Sequence, residues 1–162
     1  MSRAARSLVF FMSYFTHLVL VVEPVNWLLL RPLVALRPAL RRSLVGPWMR
    51  FQARLIMKLA QRVGGMRLSI EGEIPPASCV VVMNHQSLLD IPLALSMIAG
   101  PYPLIPTRAS YRYGIPGVSS MIALANHPLV EQGRIGRRAE LKALLGAADE
   151  VAGGKQSFLI FP

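Results

Sequence analysis

The chain has little cysteine, few acidic residues and little charge overall. Cys79 is the single cysteine in 162 residues, which excludes an internal disulfide framework and a cysteine-rich zinc site. Charged residues make up only 16% of the sequence. There are 8 acidic and 18 basic residues, which gives a net charge of +10. Hydrophobic residues make up 53%, a high fraction for a water-soluble domain of this length.

The basic residues are unevenly distributed. Eleven of the 18 precede residue 71, and Glu23 is the only acidic residue in that part of the chain. A basic excess suits either a nucleic acid or an anionic lipid surface. Nucleic-acid-binding domains typically combine basic residues with exposed aromatic ones, whereas these basic residues flank apolar runs. The pattern therefore favours a membrane bilayer as partner and argues against nucleic acid.

The first 42 residues indicate a membrane-associating segment. Residues 7–22 contain no charged side chain, apolar character resumes at residues 25–30, and Glu23-Pro24 separates the two runs. Together the runs are long enough for one membrane-spanning helix, but basic residues flank both ends, and a single crossing leaves one flank on the wrong side. We therefore expect residues 1–42 to form a re-entrant or interfacial helical hairpin. A secretory signal peptide is less favoured, because no small-residue cleavage pattern follows the apolar run.

Residues 48–63 have the spacing of an amphipathic helix. Apolar residues recur at three- and four-residue steps, and they are Trp48, Phe51, Leu55, Leu59 and Val63. Basic residues occupy much of the other side, and Gly64-Gly65 follows as a stop signal. Such a helix can pack on a core, lie on anionic lipid, or do both.

Strand and helix patterns alternate after this helix. We predict strands at residues 67–70, 78–83, 104–107, 129–130 and 157–161, a helix that ends near residue 99, and a helix at residues 137–152. The run at 78–83 is rich in β-branched residues and suits a strand buried on both faces. This alternation indicates an α/β domain with a mostly parallel sheet flanked by helices, which we assign to residues 43–162.

The segment most informative about chemistry is Asn84-His85-Gln86-Ser87-Leu88-Leu89-Asp90. His85 follows a predicted strand, and α/β proteins place ligands and reacting groups at strand ends. Asp90 comes five residues later, and a turn can bring its carboxylate against the imidazole. One ring nitrogen can then take a proton while the carboxylate holds the N–H of the other. The structural alternative is a lone histidine followed by an aspartate that caps the next helix.

These residues resemble the first motif, N-H-x4-D, of the glycerolipid acyltransferase family, and in particular its 1-acylglycerol-3-phosphate (lysophosphatidic acid) acyltransferases. Asn84, His85 and Asp90 match the motif, and Ser87 is frequent in the family at its position. A second match is Phe161-Pro162, which resembles the opening of the family's third motif, F-P-E-G-T-R. The matches occur in the family's order, and the resemblance runs from the apolar N-terminus to Pro162.

The resemblance implies transfer of a fatty acyl group from a thioester, either acyl-CoA or acyl carrier protein, to the hydroxyl of a lysophospholipid. His85 would be the general base, and Asp90 would orient it. The implied candidates for substrate binding are Asn84, Arg108 and Arg134. No metal and no cofactor beyond the thioester co-substrate are implied. The location implied is the cytoplasmic face of a membrane, the inner one in a bacterium.

Two departures from the family pattern affect these expectations. The second motif commonly has an arginine after an acidic residue, but Gln132 follows Glu131 and the nearest arginine is Arg134. Arg134 and Arg108 can equally be solvated surface residues. The sequence also ends inside the third motif, so we expect the 162-residue chain alone to have little acyl transfer activity. The alternative function is a noncatalytic, truncated membrane-anchored relative that binds lipid or a protein partner.

Overall fold

The computed structural model describes residues 2–130 and 137–161, and for residues 137–140, 143, 144 and 147 it describes the backbone alone. Within these ranges the helices are α1 (Arg3–Leu36), α2 (Arg41–Arg62), α3 (Asp90–Met97), α4 (Val118–Ala125) and α5 (Arg137–Ala152). The strands are β1 (Val80–Val82), β2 (Pro103–Leu104), β3 (Thr107–Arg108), β4 (Leu129–Val130) and β5 (Ser157–Ile160).

All the described strands pair in parallel. β5 lies between β1 and β2 in a three-stranded sheet, and β3 pairs with β4 in a separate two-stranded sheet. Val81 lies opposite Leu159, and past β1 the Met83 N–H donates to the Ile160 carbonyl at 3.0 Å. The carboxyl ends of β1 and β5 therefore lie side by side. The predicted α/β class with parallel strands is confirmed.

Helices pack on both faces of the three-stranded sheet, but one face of its edge strand β1 stays open. On one face, Ala53 of α2 and Leu95 of α3 pack against the fully buried Leu159. On the other face, Val151 of α5 packs against Phe158. α1 packs against α2 and α4 and forms a further layer outside them.

The N-terminal apolar region is one helix. α1 runs unbroken from Arg3 to Leu36, so the hairpin expected within residues 1–42 is wrong. Pro24 does not break α1, because the helix widens before it: the Glu23 N–H donates to the Leu18 carbonyl, five residues back. The same wide turn precedes Pro32. A turn of this kind accommodates the proline ring, which would clash with a carbonyl in a regular α-helix.

The chain reverses after α1, and α2 runs back beside it. Phe10 shares a buried cluster with Ile56, and Val34 shares one with Val45, which shows that the two helices are antiparallel. An antiparallel helical pair is therefore present, but its second helix is α2 and not a segment within residues 1–42. The boundary predicted between residues 42 and 43 falls in the first turn of α2.

α1 buries one face and exposes apolar side chains on the rest of its surface. The buried positions recur every fourth residue: Phe10, Tyr14, Leu18, Val22, Asn26, Leu30 and Val34. In a regular α-helix each step of four overshoots a full turn by about 40°, and the two wide turns offset this drift. Exposed side chains include Leu8, Met12, Leu20, Leu28 and Leu36. By length and composition α1 could cross a membrane.

α2 is confirmed as a helix, but it starts at Arg41 and buries a different stripe from the predicted one. The buried residues are Val45, Gly46, Met49, Gln52, Ala53, Ile56, Met57 and Ala60. Phe51 and Leu55, from the predicted stripe, are exposed. α2 lies between α1 and the sheet, so it buries one face against each of them. A single apolar stripe in the sequence does not predict two buried faces.

Several strand predictions need correction. Residues 67–70 form no strand, and the prediction at 104–107 divides into β2 and β3 in different sheets. Pro106 lies at this division and has no N–H to donate to a ladder. β1 is not buried on both faces: Val80 and Val82 are 54% and 66% exposed, because α5 packs over β5 and β2. The other predicted strands and the helix at 137–152 are confirmed, and their first and last residues agree with the prediction to within two positions.

A buried polar network fixes α1 to α4. Asn26 is fully buried; its Nδ2 donates to Ser120 Oγ, and its Oδ1 accepts from Trp48 Nε1, both at 2.9 Å. The Ser120 hydroxyl donates to Glu23 Oε2 at 2.6 Å, and this oxygen also accepts from the Gly117 N–H at 2.6 Å. Gly117 has a φ of 75°, and a Cβ there would press against α1. Glu23, which separates the apolar runs in the sequence, is thus an anchor in the fold.

Candidate active site

The segment from β1 to α3 carries His85 and Asp90 at the carboxyl edge of the three-stranded sheet. β1 ends at Val82, and α3 begins at Asp90. The turn between them brings His85 Nδ1 to 3.2 Å from Asp90 Oδ2. The His85 side chain is 43% exposed and the Asp90 side chain 15%. The predicted contact between imidazole and carboxylate is therefore present, with the histidine accessible to a ligand.

The Asp90 carboxylate is held mainly by backbone groups. Its Oδ2 accepts from the N–H groups of Gln86 at 2.6 Å and Ser87 at 2.7 Å, both shorter than the contact with His85. Burial raises the pKa of Asp90, but the hydrogen bonds from Ser87, Gln86 and His85 together lower that pKa below its ordinary value. Asp90 is thus ionised at neutral pH. Because a carboxylate only accepts, it favours the tautomer in which His85 carries its proton on Nδ1.

Phe161 forms one wall of the site. Its ring centroid lies 4.6 Å from that of His85, with an angle of 35° between the planes. Phe161 follows β5, and the parallel pairing of β5 with β1 brings it to His85 although 76 positions separate the two residues (161 − 85). The two segments that carry the family resemblance therefore meet. No periodicity in the sequence could have predicted this contact, which depends on β5 being the strand next to β1.

The other predicted site residues differ in their placement. Asn84 is exposed between β1 and His85. The Ser87 hydroxyl accepts from the Leu89 N–H at 3.1 Å, which is a local hydrogen bond within the turn. Arg108 is exposed at the end of β3, in the two-stranded sheet, and the described residues show no hydrogen bond or ion pair between it and His85 or Asp90. Arg134 lies outside the described residues.

The two remaining histidines have contacts of a structural kind. His17 Nε2 lies 2.6 Å from Oε1 of the buried Gln52 at the packing surface between α1 and α2. His127 Nδ1 accepts from the Ile105 N–H at 3.1 Å, and burial lowers the pKa of His127 to about 4. Within the described ranges, no three potential metal ligands among histidine, cysteine, aspartate and glutamate come together.

A cavity of about 1240 Å³ lies at the opposite edge of the sheet. Tyr102 and Gln156 line it, and they immediately precede β2 and β5, whereas His85 follows β1. None of His85, Asp90 and Phe161 lines this cavity. Size alone would favour it as a binding site, but the pair of groups suited to proton transfer is at the carboxyl edge, so we place the candidate active site there.

No protein-family model, curated protein or solved structure matches this chain.

The arrangement around His85 is suited to general base chemistry. Nδ1 faces an ionised carboxylate, and among the described residues the ring makes no other hydrogen bond. Nε2 can therefore accept a proton from a hydroxyl group, while Asp90 stabilises the imidazolium that results. The Phe161 ring gives one side of the imidazole an apolar neighbour.

Proposed function

We propose that this chain is an acyltransferase domain of the glycerolipid type, which moves a fatty acyl group from a thioester to the hydroxyl of a lysophospholipid. The acceptor that the family resemblance favours is 1-acylglycerol-3-phosphate, and the product is then phosphatidic acid. The donor is acyl-CoA or acyl carrier protein.

One observation carries the proposal: the N-H-x4-D segment and the F-P segment meet at one edge of the sheet. Each short motif alone could occur by chance. His85 contacts both Asp90 and Phe161, although β1 and β5 belong to distant parts of the chain. An accidental pair of sequence matches would have no reason to converge on one imidazole.

The chemistry follows from the tautomer of His85. Nε2 takes the proton of the acceptor hydroxyl as its oxygen attacks the thioester carbonyl carbon, and Asp90 holds Nδ1–H and stabilises the imidazolium. When the tetrahedral adduct collapses, the C–S bond breaks and the imidazolium returns the proton to the leaving thiolate. The balance is an ester and a free thiol, and no acyl-enzyme is needed because the thioester is already activated.

The apolar surface of α1 fits a lipid substrate. α1 packs along α2 and α4 through its buried face, so its exposed apolar residues can enter the interface of a bilayer while the rest of the domain stays in water. We infer attachment to the cytoplasmic face, since basic residues flank both ends of the helix. The acceptor then reaches His85 from the membrane rather than from solution.

The deciding experiment measures acyl transfer with defined substrates. The purified protein, extended by the Glu-Gly-Thr-Arg that completes the third motif of the resembled family, is given a labelled acyl thioester and either 1-acylglycerol-3-phosphate or 1-acylglycerol. We expect labelled phosphatidic acid and little labelled diacylglycerol. If the protein binds lipid but forms no labelled product with acyl-CoA or with acyl carrier protein as donor, the noncatalytic alternative is favoured and the proposal is contradicted.

A further inference from the structure

A second candidate site lies where the start of α1 meets the end of α2. A cavity of about 600 Å³ is lined by Arg3, Arg6, Ser7, Gly64, Gly65 and Arg67; we call it the arginine pocket. Antiparallel packing of the two helices brings the first turns of α1 beside the last turn of α2. Gly65, with a φ of 72°, then reverses the chain so that Arg67 joins the two arginines of α1.

The chemistry of the arginine pocket is that of an anion site. Three arginine residues line it, and no acidic residue does among the described residues. The ion pairs recorded in the described part of the chain involve Glu150 and Asp90, and neither includes an arginine of the pocket. Three like charges brought together repel one another unless an anion compensates them. Guanidinium groups match the oxygens of a phosphate with paired hydrogen bonds.

Glycine at position 65 leaves room for this arrangement. A Cβ added to Gly65 would lie 3.1 Å from Arg6 Nη1, a tight contact that would shift that guanidinium by a few tenths of an ångström. The Ser7 hydroxyl on the same lining adds a neutral donor.

The surface next to the arginine pocket distinguishes a lipid from a small soluble anion. Exposed apolar residues begin directly after Ser7, with Leu8, Phe11, Met12 and Phe15 at 65%, 40%, 60% and 50% exposure. A phosphate bound by the arginines would leave its acyl chains beside these side chains. We propose that the arginine pocket binds the phosphate group of an anionic phospholipid and holds the start of α1 at the level of the headgroups. This inference does not depend on acyl transfer.

The test counts lipids bound to the purified protein. Native mass spectrometry from detergent compares phosphatidic acid with diacylglycerol of the same acyl chains, which lacks only the phosphate. We expect phosphatidic acid to be retained in preference to diacylglycerol. Because the proposed active site can hold a further molecule as product, the arginine pocket accounts for the one molecule per chain that the following variant should lose. The variant Arg3→Gln/Arg6→Gln/Arg67→Gln should weaken phosphatidic acid binding by at least about tenfold.

A matched control separates a site from net charge. Arg37→Gln/Arg54→Gln/Lys58→Gln removes the same charge from exposed positions outside the pocket and should change the affinity by less than about threefold. Equal losses in both variants would mean that binding follows net charge, and would overturn the proposal. If the pocket variant does not fold, as judged by circular dichroism, Arg6→Lys keeps the charge but not the planar fork and should weaken binding several-fold.

Soluble anions provide the remaining arm of the test. Inorganic phosphate and glycerol 3-phosphate carry the same chemistry without acyl chains, so they should compete only at concentrations far above that of the lipid. Competition at concentrations similar to that of phosphatidic acid would identify a free-phosphate site and overturn the lipid assignment. The experiment measures the mass of bound lipid and not turnover. A negative result would therefore contradict the lipid-binding proposal without bearing on acyl transfer.

Discussion

At the scale of single residues, Asp90 makes two kinds of contact that substitutions can separate. Its Oδ2 accepts from two backbone N–H groups, of Gln86 and Ser87, and also contacts His85 Nδ1. Asparagine at position 90 keeps an oxygen for the backbone donors but loses the charge that stabilises an imidazolium. Alanine loses both. A purely structural aspartate would therefore tolerate asparagine, whereas an orienting one would not.

The first prediction separates catalysis from folding at His85 and Asp90. A positioned general base contributes roughly 10²- to 10⁴-fold, so His85→Ala should lower kcat by at least about 100-fold. Its melting temperature should hardly change, because His85 is exposed. Asp90→Asn should be similarly damaging, and the double variant should be no worse than either one, since both act as a unit. Acyl transfer rates and thermal melts of the four proteins test this. Retained activity in His85→Ala would remove it from the mechanism.

The second prediction concerns the ring beside His85. Phe161→Leu keeps an apolar side chain but removes the aromatic ring that lies 4.6 Å from the imidazole centroid. The His85 proton signals should lose their ring-current shift in NMR spectra, and kcat should fall several-fold while KM changes little. Phe158→Leu is the control: Phe158 is buried in β5, the strand that Phe161 follows, so its loss should lower stability without moving the His85 signals. Unmoved His85 signals in Phe161→Leu would contradict the prediction.

The third prediction concerns pH and rests on His127. Burial lowers the pKa of His127 to about 4, whereas an unfolded histidine titrates near ~6.5. Between these values the unfolded chain binds more protons, so the free energy of unfolding should fall as the pH drops from about 6.5 to about 4. Urea unfolding of His127→Asn across this range should show a flatter profile than the parent. The Asp90 carboxylate, whose pKa is lowered, stabilises the fold above about pH 4 and loses that effect only at lower pH.

At the scale of elements, the sequence allowed prediction where one period or one local signal decides the structure. The helix at 137–152 and the strand at 157–161 are bounded by Gly153-Gly154, and the structure places both as predicted. α1 was not predictable in this way, since its buried face repeats every four residues and depends on the wide turn before Pro24. The exposed Phe51 of α2 and the open face of β1 depend on which neighbours each element has, and this information is not local.

The same limit applies to the candidate active site. His85 and Asp90 are close in sequence, and a turn suffices to join them. The approach of Phe161 depends on β5 entering the sheet between β1 and β2, which only the tertiary structure reveals. The sequence contains no pattern that predicts the contact between Asn26 and Ser120. A polar residue in an apolar helix can be identified as buried only when its hydrogen-bond partners on other helices are known.

The fourth prediction tests the network that joins α1 to α4. Asn26→Ala removes the acceptor of the partly buried Trp48 Nε1 and the donor to the buried Ser120 Oγ, which keeps its hydrogen bond to Glu23. An unsatisfied buried polar group costs ~1–3 kcal/mol, so the free energy of unfolding should fall by about 2–4 kcal/mol. Gln61→Ala, at an exposed position of α2, is the control and should change it by less than about 0.5 kcal/mol. Chemical denaturation of both variants gives the comparison; similar small effects would mean that α1 is held by apolar packing alone.

At the scale of the whole molecule, the packing of α1 favours one way of meeting a membrane. Its buried face contacts α2 and α4 from Phe10 to Val34. A helix that crossed the bilayer would have to detach from these partners and expose Asn26 and Glu23 to hydrocarbon, which is costly. A helix that lies in the interface keeps every contact and buries only the side chains that are already exposed. We therefore expect α1 to lie in the plane of the membrane surface.

The last prediction tests whether the exposed face of α1 contacts the membrane, and its substitutions leave the core undisturbed. Leu20→Gln/Leu28→Gln changes two α1 side chains that are 67% and 80% exposed, and losing the burial of two leucines should lower partitioning into anionic vesicles by at least about tenfold. Leu141→Gln/Leu145→Gln, on α5 and 56% and 57% exposed, makes the same chemical change on another surface and should leave partitioning unaltered. Vesicle flotation measures binding, and the emission of Trp27, 53% exposed on α1, should shift to shorter wavelength only when α1 enters the interface. If both variants bind as the parent does, attachment is electrostatic, and high salt should then release the protein.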